Sequence, residues 1–460
     1  MWSLSIVLNG LKLALLLSAA TIYLAGLGWL GFRLISKENR LGNWSLLQAF
    51  PLVLACGLII NLCIVLLLQQ ILPALLAGCM ISAIGIYFLV RDITSLHLLS
   101  THTSKPIYPW IGAVIVCLLF LGPILAYPLK DWDARSIWFF HAKMIYTAGT
   151  VGQSAGWQDP SVVFSHPDYP ILIPVLASQI ATVTGFWNEF IPKVSLFLLL
   201  IPPILWLFTF AQKSLGFVIL LLLIPFTFYR WMWNGYMDGY LALYFATALL
   251  LLGRYIHSSQ TIDLISGLCC MVILLYLKNE GTLAMIAGIG SLLWIFLLTR
   301  NTGSSNPLKI DWRYYLAGFI ILLPFLLWAI YKWRWNISND LEIGSMQSIG
   351  RIADRIGDGS YRLVFEKVFQ NTEAALLFLA LLCFAASWRN SFPREAMPAL
   401  LAAGIYGLGL ILVYLLTPLK LESHIGTSME RTMLTVNAGL YVACYFIVSA
   451  LENTKSTGEA

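Results

Sequence analysis

Charged residues are scarce in this chain, and their scarcity excludes the usual classes of soluble protein. Of 460 residues, 59% are hydrophobic and only 11% are charged, whereas soluble domains carry about 25% charged residues. A membrane-spanning helix needs about 20 mainly apolar residues, and the chain contains many such runs with short polar segments between them. The composition therefore predicts an all-α, polytopic, integral membrane protein that crosses its membrane many times.

Sequence signatures of nucleotide binding are also missing. No glycine-rich phosphate loop of Walker spacing interrupts the apolar runs, and no polar stretch is long enough for a soluble domain. These absences argue against an ATP-driven pump and against an enzyme with a dedicated domain for cytosolic nucleotide-sugars. The net charge of +6 is compatible with anionic lipid or phosphate partners, and we expect no nucleic-acid partner.

About thirteen apolar segments could cross the membrane. They are residues 12–32, 48–68, 71–90, 110–128, 190–210, 215–229, 238–253, 262–277, 281–299, 314–333, 372–388, 397–417 and 433–450. The segment 170–184 is apolar but short, and it carries Pro174 and Gln179. We therefore expect it to lie along the membrane interface instead of crossing. We divide the chain into N-terminal transmembrane helices, residues 1–110, and a catalytic transmembrane module, residues 111–460.

Three polar segments are expected to form long loops on one face of the membrane, at residues 129–189, 334–371 and 418–432. Basic residues are nearly equal in number on the two faces, so their count does not decide the orientation. The density of basic residues does indicate the orientation, because the short loops on the opposite face are compact and basic, as cytoplasmic loops tend to be. These short loops are Phe32–Asn43, Arg91–Lys105, Arg300–Arg313 and Trp388–Arg394. We expect a bacterial inner membrane, with the long loops facing the periplasm.

The first of these loops opens with a pair of carboxylates, Asp131 and Asp133. An aspartate at the centre of a membrane helix costs about 2.5–3.5 kcal/mol, so both residues are expected at the membrane surface. A carboxylate whose hydration is limited by apolar rings and lipid is a stronger base. It could take a proton from a sugar hydroxyl or hold a divalent metal. The alternative is that Asp131 or Asp133 caps a helix over 134–147.

Further candidate residues share one property, which is that each lies in a long loop or at the outer end of a span. They are Arg135, Lys143, His166, Asp168, Tyr169, Asp238, Lys278, Glu280, Arg355, His424 and Arg431. Ionisable residues at such junctions often serve function. The alternatives are structural, since His166 to Pro170 could form a polar helix entry and Lys278 with Glu280 an ordinary surface pair.

Arg431 is the leading candidate for holding a phosphate. Arginine offers a planar fork that matches two phosphate oxygens. If a helix begins at Thr427 or Ser428, with Glu430 in its first turn, Arg431 lies at the positive end of the helix dipole. A base is unfavourable there unless an anion is nearby.

The loop 334–371 is expected to act as a mobile lid over the donor. It contains four glycines and charges of both signs, among them Arg351, Arg355 and Arg362. A solvated amphipathic helix explains the same residues equally well.

In their order along the chain, several of these motifs resemble the GT-C glycosyltransferases, the polytopic enzymes that include protein O-mannosyltransferases and lipid A aminoarabinose transferases. The matching segments are Asp131–Tyr146, His166–Leu176, Tyr236–Ala242, Lys278–Gly281 and Thr427–Arg431. The resemblance covers residues 120–460. The chain departs from the family in having four candidate spans before the acidic loop and no large domain after the last span.

The resemblance implies a reaction at the non-cytoplasmic face. Enzymes of this kind take a sugar from a polyprenyl-phosphate carrier and transfer it to a glycan, lipid or protein acceptor. By this resemblance Asp133 is the general base, with Asp131 as second choice, and basic residues such as Arg431, Lys278 and Arg355 hold the lipid phosphate.

Two other functions remain as alternatives. A lipid or solute transporter would place charges along a path through the membrane and often shows an internal repeat, and neither is evident in this sequence. A polysaccharide polymerase or ligase of another fold would concentrate function in one large loop with paired arginines, which Arg351 and Arg355 could supply.

Overall fold

The computed structural model describes residues 4–35, 46–95, 107–211, 215–226, 228–300, 312–337, 339, 345–388 and 392–458. The described part of the chain contains no β-strand apart from one isolated bridge between Gln70 and Thr150. Its α-helices are α1 (Leu4–Ile35), α2 (Leu46–Leu68), α3 (Ile71–Ser95), α4 (Tyr108–Ala126), α5 (Phe139–Ala148), α6 (Leu172–Thr184), α7 (Val194–Phe208), α8 (Leu215–Leu221), α9 (Tyr229–Trp233), α10 (Asp238–Ser258), α11 (Thr261–Leu274), α12 (Glu280–Arg300), α13 (Trp312–Arg334), α14 (Met346–Gly357), α15 (Tyr361–Trp388), α16 (Met397–Leu416) and α17 (Leu421–Gly458). The predicted all-α class is confirmed.

Ten helices among the described residues are long and apolar enough to cross a membrane, which confirms a polytopic membrane protein. They are Leu8–Ile35, Gln48–Leu68, Ile71–Asp92, Tyr108–Ala126, Ile191–Phe208, Asp238–Ser258, Tyr315–Arg334, Tyr361–Trp388, Arg394–Leu416 and Leu421–Asn453. The other three predicted spans are not among these ten. The segment 215–229 is broken into α8, a π-helical turn at Leu222–Phe226 and α9, and 262–277 coincides with the 14-residue α11. The segment 281–299 coincides with α12, whose apolar part is Glu280–Trp294.

Two of the predicted loops are helical for much of their length. The prediction of a loop over 418–432 is wrong from Leu421 onward, because α17 runs through it without a break. The reason is that buried apolar residues recur every four positions, at Ile425, Met429 and Met433. They extend the apolar face of the membrane span toward the start of α17, although the residues between them are polar. The loop 334–371 likewise contains α14 and the first turns of α15.

Most of helix α6 is buried against other helices instead of lying on the membrane surface as predicted for 170–184. Its 13 residues span about 20 Å at 1.5 Å per residue, less than the ~30 Å hydrocarbon thickness of a bilayer. Ten consecutive residues, Leu172 to Ala181, are buried, and the helix packs against α2, α3, α5 and α7. The polar Gln179 is satisfied there, because its side-chain oxygen accepts a hydrogen bond from the Asn61 amide of α2 at 2.8 Å.

The N-terminal helices share the core of the rest of the chain. Helix α2 packs against α7, α11 and α13, and the Tyr331 hydroxyl of α13 donates to the Leu66 carbonyl at 2.8 Å. Buried residues from both sides of residue 110 belong to one hydrophobic cluster. The helices before the acidic loop therefore support the same structure as those after it.

Polar side chains collect in two layers at opposite ends of the bundle. Helix α10 joins the layers, with Asp238 as its first residue and Arg254 near its other end. Arg254 forms an ion pair with Asp263 at 2.7 Å. The 16 residue steps from Asp238 to Arg254 rise by about 24 Å, which approaches the ~30 Å thickness of a bilayer core. The layer at Asp238 contains the candidate site.

Candidate functional site

The centre of the site is a buried ion pair between Asp133 and Arg431. Asp133 follows α4 at the entrance to a π-helical turn, Ala134–Trp138, that continues into α5. Its carboxylate accepts a hydrogen bond from the Arg431 guanidinium of α17. Asp133 makes no side-chain cap to the helix that follows it, so the capping alternative is wrong for this residue.

The ion pair continues into a chain of charges along the ends of three helices. Arg431 also lies 3.6 Å from the second carboxylate oxygen of Asp238. Lys278, in the connection between α11 and α12, donates to the other oxygen of Asp238 at 2.9 Å and lies 3.0 Å from Glu280. Asp238 and Glu280 are the first residues of α10 and α12, where the helix dipole favours a negative charge. Five predicted residues, far apart in sequence, therefore meet in one network.

Burial and neighbouring charges act in opposite directions on the Lys278 ammonium. Burial would lower its pKa, but Asp238 and Glu280 outweigh burial and raise the pKa above its ordinary value. Although its side chain is only 3% exposed, Lys278 is therefore a fixed cation at neutral pH.

The network contains three carboxylates and two cations, and it is not fully hydrogen-bonded. Within the described residues, Asp238 Oδ2, Glu280 Oε2 and Arg431 Nε are buried without a hydrogen-bond partner. Buried polar atoms in native proteins are nearly always paired, with protein, water or a ligand. The open donors and acceptors are therefore where a bound polar molecule would be held.

A close backbone contact positions the second wall of the site. Gly235, between α9 and α10, has φ +93°, and a Cβ added to it would lie 2.6 Å from the Cβ of Ala134. Only glycine permits both this conformation and this approach. The contact brings Tyr236 beneath the Arg431 guanidinium, 4.8 Å from the ring centre. Burial raises the pKa of Tyr236, and the Asp133 charge raises it further.

The charge network lines a cavity of about 500 Å³. The lining combines three kinds of side chain. The charged ones are Asp133, Lys278, Glu280 and Arg431; the aromatic ones are Trp132, His166, Tyr169, Tyr236, Tyr414 and His424; and the apolar ones are Ile137, Leu410, Val413 and Leu419. Stacked rings and fixed charges suit a sugar phosphate, and the apolar side chains suit a hydrocarbon chain.

Hydroxyl groups of α16 and α17 complete the wall. The Tyr414 hydroxyl lies 2.9 Å from Ser428 Oγ and 3.0 Å from Thr432 Oγ1. Tyr236, Tyr414 and Thr432 were not among the predicted site residues. Their signal in the sequence is weak, because a tyrosine at the end of a span usually belongs to the interfacial aromatic belt.

His166 and Tyr169 reach the cavity, but Asp168 has a supporting role. His166 adopts a left-handed conformation with φ 53°, and its ring stacks on Tyr169 at 5.1 Å between centres. Asp168 accepts hydrogen bonds from the side-chain amides of Asn279 at 2.6 Å and Asn339 at 3.1 Å. Because Asn279 follows Lys278, Asp168 ties the His166 loop to the charge network.

The remaining predicted residues do not line the cavity. Arg135 and Lys143 are exposed, and Asp131 is half-buried. The Arg355 guanidinium donates to the backbone carbonyls of Tyr414 and, at 2.7 Å, of Thr417. It thus binds the end of α16, where helix carbonyls lack partners in the helix itself.

Arg431 occupies a different helix position from the one predicted. Because α17 begins at Leu421, Arg431 lies in its third turn, and the argument from the helix dipole does not apply. The anions that face Arg431 are the carboxylates of Asp133 and Asp238.

The described residues contain no group of three or more His, Cys, Asp or Glu side chains that could hold a metal ion. The sequence leaves open whether Asp131 and Asp133 hold a divalent metal, and the described residues add no ligand set for one. Comparisons with protein-family models, curated proteins and solved structures give no match to this chain.

Proposed function

We propose that the protein is a membrane glycosyltransferase of the polyprenyl-phosphate-dependent kind. It transfers a sugar from a lipid-phosphate donor to an acceptor hydroxyl, with Asp133 as the general base. The observation that carries this proposal is the buried ion pair of Asp133 with Arg431 in the wall of a cavity that aromatic and apolar side chains also line. A lipid-linked sugar needs all three kinds of side chain.

The donor phosphate is expected to bind at the two cations of the network. Arg431 has a buried Nε–H without a partner, and Lys278 lines the cavity beside it. A phosphate at this Nε–H shares the guanidinium charge with the Asp133 carboxylate, which is bound at another nitrogen, and so weakens the ion pair. Donor binding thereby releases Asp133 from its ion pair and frees it to accept a proton.

The transfer step then follows by inversion at the sugar carbon. The acceptor oxygen attacks the anomeric carbon while its proton passes to the Asp133 carboxylate. The bond from the anomeric carbon to the phosphate oxygen breaks, and the polyprenyl phosphate leaves with the bonding electrons. Arg431 and Lys278 stabilise the negative charge that develops on the leaving phosphate.

The lipid chain of the donor is placed along α16. Leu410, Val413 and Leu419 are apolar residues of the cavity lining. The first part of the hydrocarbon chain is proposed to pack against them.

We place the site at the outer face, the periplasmic face of a bacterial inner membrane. The support is the density of basic residues in the short loops at the other end of the helices. Those loops lie largely outside the described residues.

The alternatives receive less support from the contacts. Arg351 and Arg355, the arginine pair of a polymerase-like loop, both donate to carbonyls at the end of α16. For a transporter, the ion pairs should follow a path between the membrane faces, but the ion pair of Asp238 and that of Asp263 lie at opposite ends of α10 and α11.

A donor-consumption assay tests the function. The protein in nanodiscs is given a panel of polyprenyl-phosphate sugars with extracted membrane glycolipids as acceptors, and release of polyprenyl phosphate is measured. We expect release with at least one donor, dependent on the acceptor. No release across the panel, together with release by a known enzyme of this kind run in parallel, would contradict the proposal.

A further inference from the structure

A second groove, separate from the charged cavity, runs along α1. It consists of a cavity of about 580 Å³ and one of about 220 Å³, and Leu16 lines both. The α1 residues along it extend from Asn9 to Leu24, which is about 22 Å at 1.5 Å per residue. It shares no lining residue with the charged cavity.

The deeper part of the groove is apolar. Its walls come from α1, α3, α6 and α7, and nearly all of them are aliphatic side chains. The polar Gln179 lines it, but its amide is already bonded to Asn61. A hydrocarbon chain therefore fits there better than a polar molecule.

The upper part of the groove carries a single cation, Lys12. Asn9 and Thr184 are its polar neighbours in the lining, and no carboxylate is among the described residues that line this cavity. Leu11 and Leu15 beside it on α1 are 56% and 70% exposed on the outside of the bundle. Lys12 is four residues from the start of the span at Leu8, and a lysine near the membrane surface is attracted to anionic lipid headgroups.

The position of Lys12 matches the headgroup level of one leaflet. Leu125, at the end of α4, lines the same cavity, and the chain continues from α4 directly to the Asp133 loop. The groove from Leu13 to Leu24 covers about 16 Å, close to half of the ~30 Å bilayer core. That is the depth that one acyl chain of a bilayer lipid occupies.

We propose that this groove binds one anionic glycerophospholipid. Its phosphate lies at Lys12, and one acyl chain lies along α1 between α3, α6 and α7. The lipid holds the N-terminal helices against α6, which carries the His166 loop at its other end.

Native mass spectrometry of the full-length protein tests the proposal. The protein is released from nanodiscs of phosphatidylglycerol and phosphatidylcholine in equal amounts, and the retained lipids are counted. We expect one tightly retained phosphatidylglycerol. In K12Q we expect the preference for phosphatidylglycerol over phosphatidylcholine to fall about five-fold, the effect of about 1 kcal/mol for a lysine at an anionic surface. K143Q, which removes an exposed lysine of α5, should behave like the unmodified protein.

A second variant tests the acyl-chain part without changing charge. Ala19 lines the groove on α1 and is exposed, so A19F should fold and should obstruct the chain. We expect it to lose both phospholipids. Equal retention in K12Q, A19F and the unmodified protein would overturn the proposal. So would retention of a polyprenyl phosphate in place of the phospholipid when both are supplied.

Discussion

Asp133 and Arg431 lie 298 positions apart in the sequence and form one ion pair in the wall of the candidate site. The pair joins the segment after α4 to the third turn of α17. It thus connects the residue proposed to move a proton with the residue proposed to hold the leaving phosphate. Under the proposed function, each keeps the other inactive until a donor phosphate binds the arginine.

Arg431→Lys should weaken donor binding while preserving the fold. Lysine keeps the charge that Asp133 and Asp238 require but loses the planar fork. We expect the donor KM to rise about 10- to 100-fold, since a hydrogen bond to a charged group contributes ~1.5–3 kcal/mol. Steady-state kinetics against donor concentration give the result. R135K, at an exposed arginine, is the control and should leave KM unchanged. An unchanged KM in R431K would count against the phosphate role.

Arg431→Ala should destabilise the protein. It leaves Asp133 and Asp238 buried with one cation fewer, and removing one partner of a buried pair costs about 3–5 kcal/mol. We expect a clear fall in Tm in the same detergent. A Tm equal to that of the unmodified protein would show that the ion pair does not form.

Arg355→Ala distinguishes a structural arginine from a phosphate ligand. Its guanidinium binds the Tyr414 and Thr417 carbonyls, so its loss should cost about 1–3 kcal/mol of stability and leave the donor KM unchanged. The measurements are Tm and KM on one preparation. A raised KM with an unchanged Tm would restore the role predicted from the sequence.

Gly235→Ala tests how the site is assembled. The new methyl group would meet Ala134 at 2.6 Å in a left-handed backbone conformation, which costs about 1–3 kcal/mol. We expect lower turnover and lower Tm together, because the Tyr236 wall moves away from Asp133. Gly185→Ala is the matched control, since Gly185 also has a positive φ, +80°, but a Cβ there has no neighbour within 4 Å. Equal effects of the two substitutions would contradict the proposed contact.

His141 makes stability depend on pH. Burial lowers its pKa to about 3, and His166 adds to the lowering. The unfolded chain, with an ordinary histidine pKa of about 6.5, binds the proton more readily. Stability should therefore decrease as pH falls from about 6.5 toward 3. The fall in Tm between pH 7 and pH 4.5 should be smaller for H141Q than for the unmodified protein. For the exposed H257Q, it should equal the fall in the unmodified protein. Parallel slopes for H141Q and the unmodified protein would contradict this assignment.

The sequence predicted the helix ends of the site well but not how they meet. Asp238, Lys278 and Glu280 each stand at the end of an apolar run, so their shared level in the membrane follows from span boundaries alone. The partnership of Asp133 with Arg431 depends on the packing of α17 against α10, which no local pattern contains. Arg355 and Arg431 look alike as loop arginines. Only the folded chain shows that one binds helix carbonyls and the other carboxylates.

Local polarity was a poor guide to loops and to burial in this protein. The sequence around Ser428 is polar, yet the repeat of Ile425, Met429 and Met433 makes it helical. The segment 170–184 is weakly amphipathic, as an interfacial helix would be, but most of it is buried against other helices. Its polar Gln179 has a partner, Asn61, which is 118 positions away in the sequence.

The most direct test of the central claim compares Asp133→Asn with Asp131→Asn in a polyprenyl-phosphate-sugar transfer assay. Asparagine keeps the shape of Asp133 but cannot accept the acceptor proton, so kcat should fall about 10²- to 10⁴-fold, the usual contribution of a general base. Asp131 does not line the cavity, and its variant should transfer sugar at the rate of the unmodified protein. Full activity of D133N, or an equal loss in both variants, would contradict Asp133 as the catalytic base.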